Sequence, residues 1–418
     1  MPNNLEFTQA ATLLNDIQEQ VTGVKSIAPA DTSEFVSVAE TLLKTGYESV
    51  YKGISQVLSR TIFSIRPYNR KFVLAEISAA AYGNHVRKIS IADTPVEDDD
   101  RFKWPVKHDE NENPPSGDGK SVDMQTIKKN QVLQTNFYGA NVFQDHYTLF
   151  DTQLDVAFSS PEELARFIAS ITMNMSNKLE QYAEDTGRAV VLNSILSTLD
   201  IGAGSAPTAF SYNTRVIPLL TLYNVTTGGN YTITSILQPD NFVAFVRWAY
   251  SVMETVSDMM TERSVLYQTT INNKYIPRHT PKDKQKLFLS AQFAAMVKTM
   301  VQTVNFNDGY MQLPNGVRAE SVGYWQAINS PLSVAGTASY TGTDGTITKK
   351  TFPASGEGAA PLILGFLFDE EALGWATVRD RMYPAPYNAR GEYQNFWIHK
   401  TIKAFNDVTE KSVVFTLA

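Results

Sequence analysis

Cysteine is absent from this chain of 418 residues. Its absence excludes disulfides, iron–sulfur clusters, thiolate zinc sites and cysteine nucleophiles, and it suits a reducing compartment. Histidine is scarce: His85, His108, His146, His279 and His399 are the full set. No two of them stand four residues apart, so no zinc-helix motif exists. Long apolar runs are missing as well. The longest clean one, Pro361 to Phe368, is far too short to cross a bilayer, and no membrane partner is expected. Positive charge is outweighed, with 36 Lys and Arg against 43 Asp and Glu and a net charge of −7. Lys128–Lys129 and Lys349–Lys350 are isolated pairs, so nothing resembles the basic patch that grips phosphates. Residues 1–30 lack the basic and apolar regions of a secretory signal, and synthesis and assembly in the cytoplasm are expected.

What is present is the composition of a folded protein, 43% hydrophobic and 19% charged. Aromatics are plentiful (22 Phe, 19 Tyr, 5 Trp), giving much planar surface to bury internally or against partners.

One stretch organises the rest. From Ser160 to about Thr198 the chain opens with a helix-start signature: Ser160 as N-cap, Pro161 at the first helical position, Glu163 three residues after the cap. Apolar residues then recur at helical spacing through Leu164, Phe167, Ile168, Ile171, Met175, Leu179, Tyr182, Val190 and Ile195, with Gly187 the one interruption. Such a rod spans roughly 55–60 Å at about 1.5 Å per residue. Polar residues at Asn174, Asn177, Glu184 and Asp185 break any heptad, so the expectation is a backbone rod with other elements laid across it.

Around the rod, residues 1–30 read as an extended arm that needs something else to hold it, with a short helix near Ala10 to Val21. Two amphipathic segments follow at about 33–43 and 47–59, then strand-like pattern at Ile62, Phe63, Ile65, Phe72 and Val73. His85 to Ile91 and Gln131 to Leu149 read as strands flanking a long acidic, Pro/Gly-marked excursion. A structureless loop of that length is unusual in a compact domain, and an isolated hairpin is marginal in water. The expected arrangement is a projecting two-stranded arm packed on something outside its own subunit. Beyond Gly202 the pattern alternates: strands at Ile217–Val225 and Tyr231–Leu237, a helix from about Pro239 to Met253, a strand at Lys286–Leu289 leading into a helix at 291–303, and strands at Val317–Ile328 and Leu362–Phe368. A Gly/Thr/Ser-rich exposed hairpin at 335–358 separates the last two. Two further strands, from Tyr393 onward and around Val413–Leu417, meet near Asn406-Asp407. The fold class is α+β with a mixed sheet.

Chemical motifs fail on inspection. SGDGKS at 116–121 imitates a phosphate loop, but Pro114 stands where the first glycine belongs and no strong strand precedes it. Gly202-Ala-Gly204 follows a helix instead of a strand, the wrong order for a dinucleotide site. Asp145-His146 are neighbours on a strand and point to opposite faces. Glu162-Glu163 and Asp369-Glu370-Glu371 are read as acids at helix starts, where the macrodipole explains them. The acidic run Glu97 to Asp100 lacks the spacing of a calcium loop. Tyr393, Phe396 and Trp397 are read as core or subunit contact. No catalytic, cofactor-binding or metal residue is assigned, and no enzyme is expected.

The order of parts, together with Gly365-Phe-Leu-Phe-Asp369-Glu-Glu-Ala-Leu-Gly374-Trp375, Pro386-Tyr-Asn-Ala-Arg-Gly391-Glu-Tyr393-Gln-Asn-Phe396 and Phe405-Asn-Asp407, resembles the major capsid proteins of tailed bacteriophages, of short-tailed or gut-phage type. The resemblance runs from about residue 32 to 418. It implies an N-terminal arm with short helices at 1–60, strands and a projecting E-loop hairpin at 61–158, a P-domain spine helix at 159–204, an A-domain at 205–385, and C-terminal strands returning to the P-domain at 386–418. It further implies self-assembly into pentamers and hexamers of an icosahedral shell around phage DNA, hence a place in the virion capsid. Scaffolding, portal and decoration proteins are the other candidate partners. Two alternatives stand beside it: an encapsulin-like nanocompartment shell, and an α+β enzyme or binding domain.

Overall fold

The computed structural model describes residues 7–23, 31–51, 85–92, 131–138, 141–202, 212–274, 276–304, 317–325 and 334–417, with a few isolated positions between them. In chain order these form α1 (Phe7–Thr22), α2 (Thr32–Lys44), β1 (His85–Ile91), β2 (Val132–Tyr138), β3 (Asn141–Phe150), α3 (Asp151–Ala157) and α4 (Pro161–Ile201). Next come β4 (Val216–Pro218), α5 (Leu219–Thr227), α6 (Ile233–Ile236), α7 (Pro239–Thr261), β5 (Gln285–Ser290), α8 (Ala291–Val304) and β6 (Arg318–Val322). The chain closes with β7 (Gly336–Thr341), β8 (Ile347–Phe352), β9 (Ile363–Asp369), β10 (Leu373–Pro384), β11 (Tyr393–Asn406) and β12 (Ser412–Thr416).

The rod is real and unbroken, with 41 residues in α4. Ser160 accepts from the Glu163 amide at 3.2 Å, Pro161 occupies the first turn, and Gly202 caps the far end. Two hydrophobic clusters share this helix. Its first turns contribute Leu164 to a cluster with Leu13, Leu14, Ile17, Phe35, Leu149 and Phe396. Its last turns contribute Val191, Ile195 and Leu196 to another, with Trp375, Phe288, Phe366, Phe368 and Ile402. Burying each such side chain stabilises the fold by about 1.5–3 kcal/mol, so one rigid rod fixes the spacing of both cores.

The main sheet has the order β4-β12-β9-β5-β6, antiparallel about β9 and parallel at β12–β4 and β5–β6. One face carries α5, α7 and α8 over Leu287, Leu289, Leu367, Val413 and Phe415; the end of α4 joins the other face. A second sheet, β10-β11-β3, lies along the rod. Strand β11 buries alternate residues (Gln394, Phe396, Ile398, Lys400, Ile402), which is the period-2 signature of one covered face. Lys400 on that face reaches Glu180 of α4 at 3.2 Å.

Several expectations need correction. Residues 217–225 and 231–237 are not strands: after β4 they are helices α5 and α6. Leu219, Leu220, Leu222 and Tyr223 are buried against the sheet, the reciprocal Thr232–Ser235 capping box starts α6, and Gly228 in a left-handed conformation ends α5. The β-branched residues there lost to tertiary packing. The stretch 131–149 is two strands, and α7 runs eight residues past Met253, to Thr261. The last two strands do not pair: β11 lies with β10 and β3, and β12 enters the main sheet. Asp369 ends β9 and Glu370 and Glu371 stand in the tight turn that follows, where Asp369 accepts from the Glu371 amide at 2.8 Å, so a turn and not a helix dipole explains the first acid. The 335–358 hairpin is not simply exposed. Ala338 is buried, and Asn193 of α4 pairs with the Ser339 backbone in both directions, at 2.7 and 3.0 Å. Helix α1, expected as a short helix near Ala10 to Val21, is held by other parts of the chain, packing Leu13, Leu14 and Ile17 against Phe35, Leu149 and Phe396. The strand pattern at 62–73 lies outside the described residues.

Candidate functional site

The functional architecture centres on the five residues between the two sheets. Strand β11 leaves the rod-backed sheet at Asn406, and β12 enters the main sheet at Ser412. Asp407, Val408, Thr409, Glu410 and Lys411 cross between them, all buried. The crossing is shaped locally: Asp407 accepts from the amide and the hydroxyl of Thr409, at 2.9 and 2.7 Å. Backbone bonds then tie it to three other parts of the chain. The Asp407 amide donates to Ala372, the Thr269 amide to Val408, and the Asp369 amide to Lys411.

Each buried charge here has a structural task. The Lys411 ammonium donates to the carbonyls of Met260 and Glu262, at 3.1 and 2.6 Å, and to the Ser264 hydroxyl at 3.1 Å. It closes the C-terminal end of α7, where the helix dipole favours a cation. Burial lowers this amine to about 8. Arg215 threads beneath, donating to Thr269 Oγ1 at 2.5 Å and to the Val408 and Ser412 carbonyls at 3.3 Å; its full burial lowers it to about 10. Glu410 pairs with Arg278 at 2.5 Å and with Lys88 of β1. Lys88 also reaches Asp407 at 3.2 Å and Glu371 at 3.4 Å. Burial raises the Glu410 carboxyl to about 7 in spite of both cations. A cleft of about 500 Å³ opens alongside, lined in part by Lys88, Ile91, Pro277, Arg278 and Glu371. The described part of the β1–β2 hairpin is thus seated on its own chain, while the acidic excursion beyond it lies outside the described residues.

A pH dependence follows. In the folded chain Glu410 keeps its proton up to about pH 7, against 4.5 ordinarily. Between those values the folded state binds more protons than the unfolded state, so stability falls as pH rises, by at most about 3 kcal/mol. Lys411 acts in the other direction: between about 8 and 10.5 the unfolded state binds more protons, and stability recovers with rising pH. Urea unfolding of wild type and Glu410→Gln across pH 5–7 checks this. Relative to the variant, wild type is expected to weaken steadily as pH rises; a constant difference contradicts it.

The residues weighed from sequence are scattered. His146 stacks on Trp397 at 4.6 Å while Asp145 points away to Lys178 of α4 at 3.2 Å, so the pair does lie on opposite faces. His399 meets the Tyr383 ring edge-on, His279 is exposed, and His85 begins β1. Glu163 turns to Arg166. Phe396 is core, stacked on Tyr147 at 5.0 Å. Gly202 is a helix cap. His108, Glu97 to Asp100 and SGDGKS at 116–121 lie outside the described residues. Among the described residues no group of three or more His, Asp or Glu is placed to hold a metal ion, and no helix is long and apolar enough to cross a membrane. What sequence reasoning missed is the charged crossing at 407–411. Its signal was weak: charged residues where a turn was already expected.

A 41-residue rod is shared by two cores, and the buried charges of the crossing fasten elements together. Residues 11–416 match the family model of the Phi29-like phage major capsid protein, and the chain belongs to that family. Solved structures similar to it include the capsid of Staphylococcus phage Andhra, with 12% identity, 86% of this chain and 87% of that one covered, and a TM-score of 0.47. The bacteriophage PhiM1 mature capsid gives 11%, 85%, 89% and 0.42, and the capsid of Cyanophage P-SCSP1u gives 10%, 86%, 91% and 0.43. No match is found among curated proteins. The chain is a shell-forming subunit of a phage virion that associates with copies of itself.

Proposed function

We propose that the chain assembles as pentamers and hexamers into an icosahedral shell enclosing the phage DNA genome, in the host cytoplasm, and that it carries no catalytic, cofactor or metal site. The parts are proposed as an N-terminal arm at 1–60, strands with an E-loop hairpin at 61–158, a P-domain spine helix at 159–204, an A-domain at 205–385, and returning strands at 386–418. Scaffolding and portal proteins, and decoration proteins on the outside, are the proposed further partners.

The observation that carries this reading is the 41-residue helix common to two separate clusters, which gives the subunit one stiff dimension. Head-to-tail rings of such subunits use heterologous interfaces that close at a fixed copy number. Apolar side chains left exposed at Val142, Val156, Leu362 and Ile347 offer surface for such contacts. Individual contacts need be no stronger than about 8 kcal/mol, micromolar affinity, because a closed shell repeats them. A net charge of −7 works against tight gripping of packaged DNA. Negative-stain electron microscopy of the purified protein, expressed with a scaffolding protein, tests the proposal. Closed shells or five- and six-membered rings are expected, and a protein that stays monomeric at every concentration overturns it.

A further inference from the structure

A second cleft, of about 460 Å³, lies where four parts of the fold meet: β2, the later turns of α4, the β7–β8 hairpin and the end of β11. That volume falls in the range of small-molecule sites, roughly 300–1,000 Å³. Ala189 and Val190 of the rod, Phe137 of β2, and Ala404 and Phe405 of β11 give it apolar walls. The Phe137 and Phe405 rings are tilted, with centres 5.6 Å apart, so a flat guest meets both a ring edge and a ring face.

The chemistry of the cleft is set by what its walls lack. Among the described residues, no side chain that lines it is charged. An ion entering would leave water and meet no opposite charge, which is a costly transfer. Several of the polar groups on the walls are already engaged. The Tyr340 hydroxyl donates to Asp200 at 2.6 Å, the Thr186 hydroxyl donates to the Tyr182 carbonyl at 3.0 Å, and Asn193 pairs with the Ser339 backbone. Asn406 differs. Its Nδ2 is buried and has no hydrogen-bond partner among the described residues. Buried polar groups are as a rule paired, so an orphan donor on a cleft wall asks for an acceptor from elsewhere. The last torsion of an asparagine is broad, and the amide turns into the cleft at little cost.

We propose that this cleft binds an uncharged, flat molecule that carries a carbonyl. The ring lies against Phe137, Phe405 and Val190, and the carbonyl accepts from Asn406. Binding needs one folded chain and no shell, so it stands or falls apart from assembly.

Saturation-transfer NMR on the unassembled full-length chain tests this with three probes of one size: neutral benzamide, negative benzoate and positive benzamidine. Benzamide is expected to bind with a Kd of about 1 mM, and the two ions about tenfold more weakly or worse. Ala189→Trp puts an indole into the cleft from an exposed helix position. It is expected to weaken benzamide about tenfold or more, with the urea midpoint of wild type. Asn406→Asp replaces the donor with a carboxylate, so benzamide is expected to lose, and benzamidine to gain, about tenfold. Equal binding of all three probes overturns the proposal. So does no binding of benzamide at about 10 mM, or benzamide binding that neither substitution changes. Either variant, with the probe series, decides the matter if the other does not fold.

Discussion

Gly187→Pro is expected to abolish normal particles and to cost the subunit about 3 kcal/mol or more. Position 187 lies inside α4, well away from either end. A proline there removes the amide that bonds back to Ala183, and its ring collides with that carbonyl. A helix broken at this point bends sharply. Upstream, Leu164 would stay with the N-terminal helices; downstream, Val191, Ile195 and Leu196 would stay with the main sheet. The two clusters cannot both keep their helix once it bends, so the damage exceeds the local cost. Urea unfolding measures the stability loss, and electron microscopy of the assembled protein measures the rest. Normal shells from this variant would remove the rod from its central place.

The second large effect is expected at Glu184. Its carboxylate and the Arg188 guanidinium form an ion pair one turn apart on α4, Arg188 Nε to Glu184 Oε1 at 3.0 Å, both almost fully buried. Arg188 also donates to the Tyr324 carbonyl, fastening the rod to the segment after β6. Glu184→Ala removes one member of a buried ion pair and leaves a cavity beside the Arg188 guanidinium, a change that costs about 3–5 kcal/mol. Glu184→Leu combined with Arg188→Leu removes both charges and refills the volume, and is expected to recover most of that loss. The comparison of urea midpoints for single and double variants is decisive. A single variant within about 0.5 kcal/mol of wild type, the range of ordinary surface changes, contradicts the account.

Much of the fold is local enough to read along the chain. Ser160, Pro161 and the helical spacing from Leu164 to Ile195 specify α4, because caps and periodicity act within a few residues. Strand β11 announces itself by alternation, Phe396, Ile398 and Ile402 inward with Trp397 and His399 outward. Helices α5 and α6 were not legible, since Ile217–Val225 and Tyr231–Leu237 carry β-branched and aromatic residues whose side chains suit either form. Only their burial against α7 and the sheet selects helix. The same limit applies to Asp369, whose neighbours in sequence resemble a helix start while its hydrogen bonds make a turn.

The sequence by itself determined that this protein has no thiol chemistry, no apolar run long enough to span a bilayer and one stiff rod, because those properties depend on composition or on neighbours within a turn or two. Only the tertiary structure decided how the rod is used and how the hairpin is seated. Lys88 and Glu410 are 322 residues apart, and no periodicity links charges across such a distance. Their meeting depends on the burial of both sheets against the same helix, an outcome of the whole core that no single stretch of chain contains.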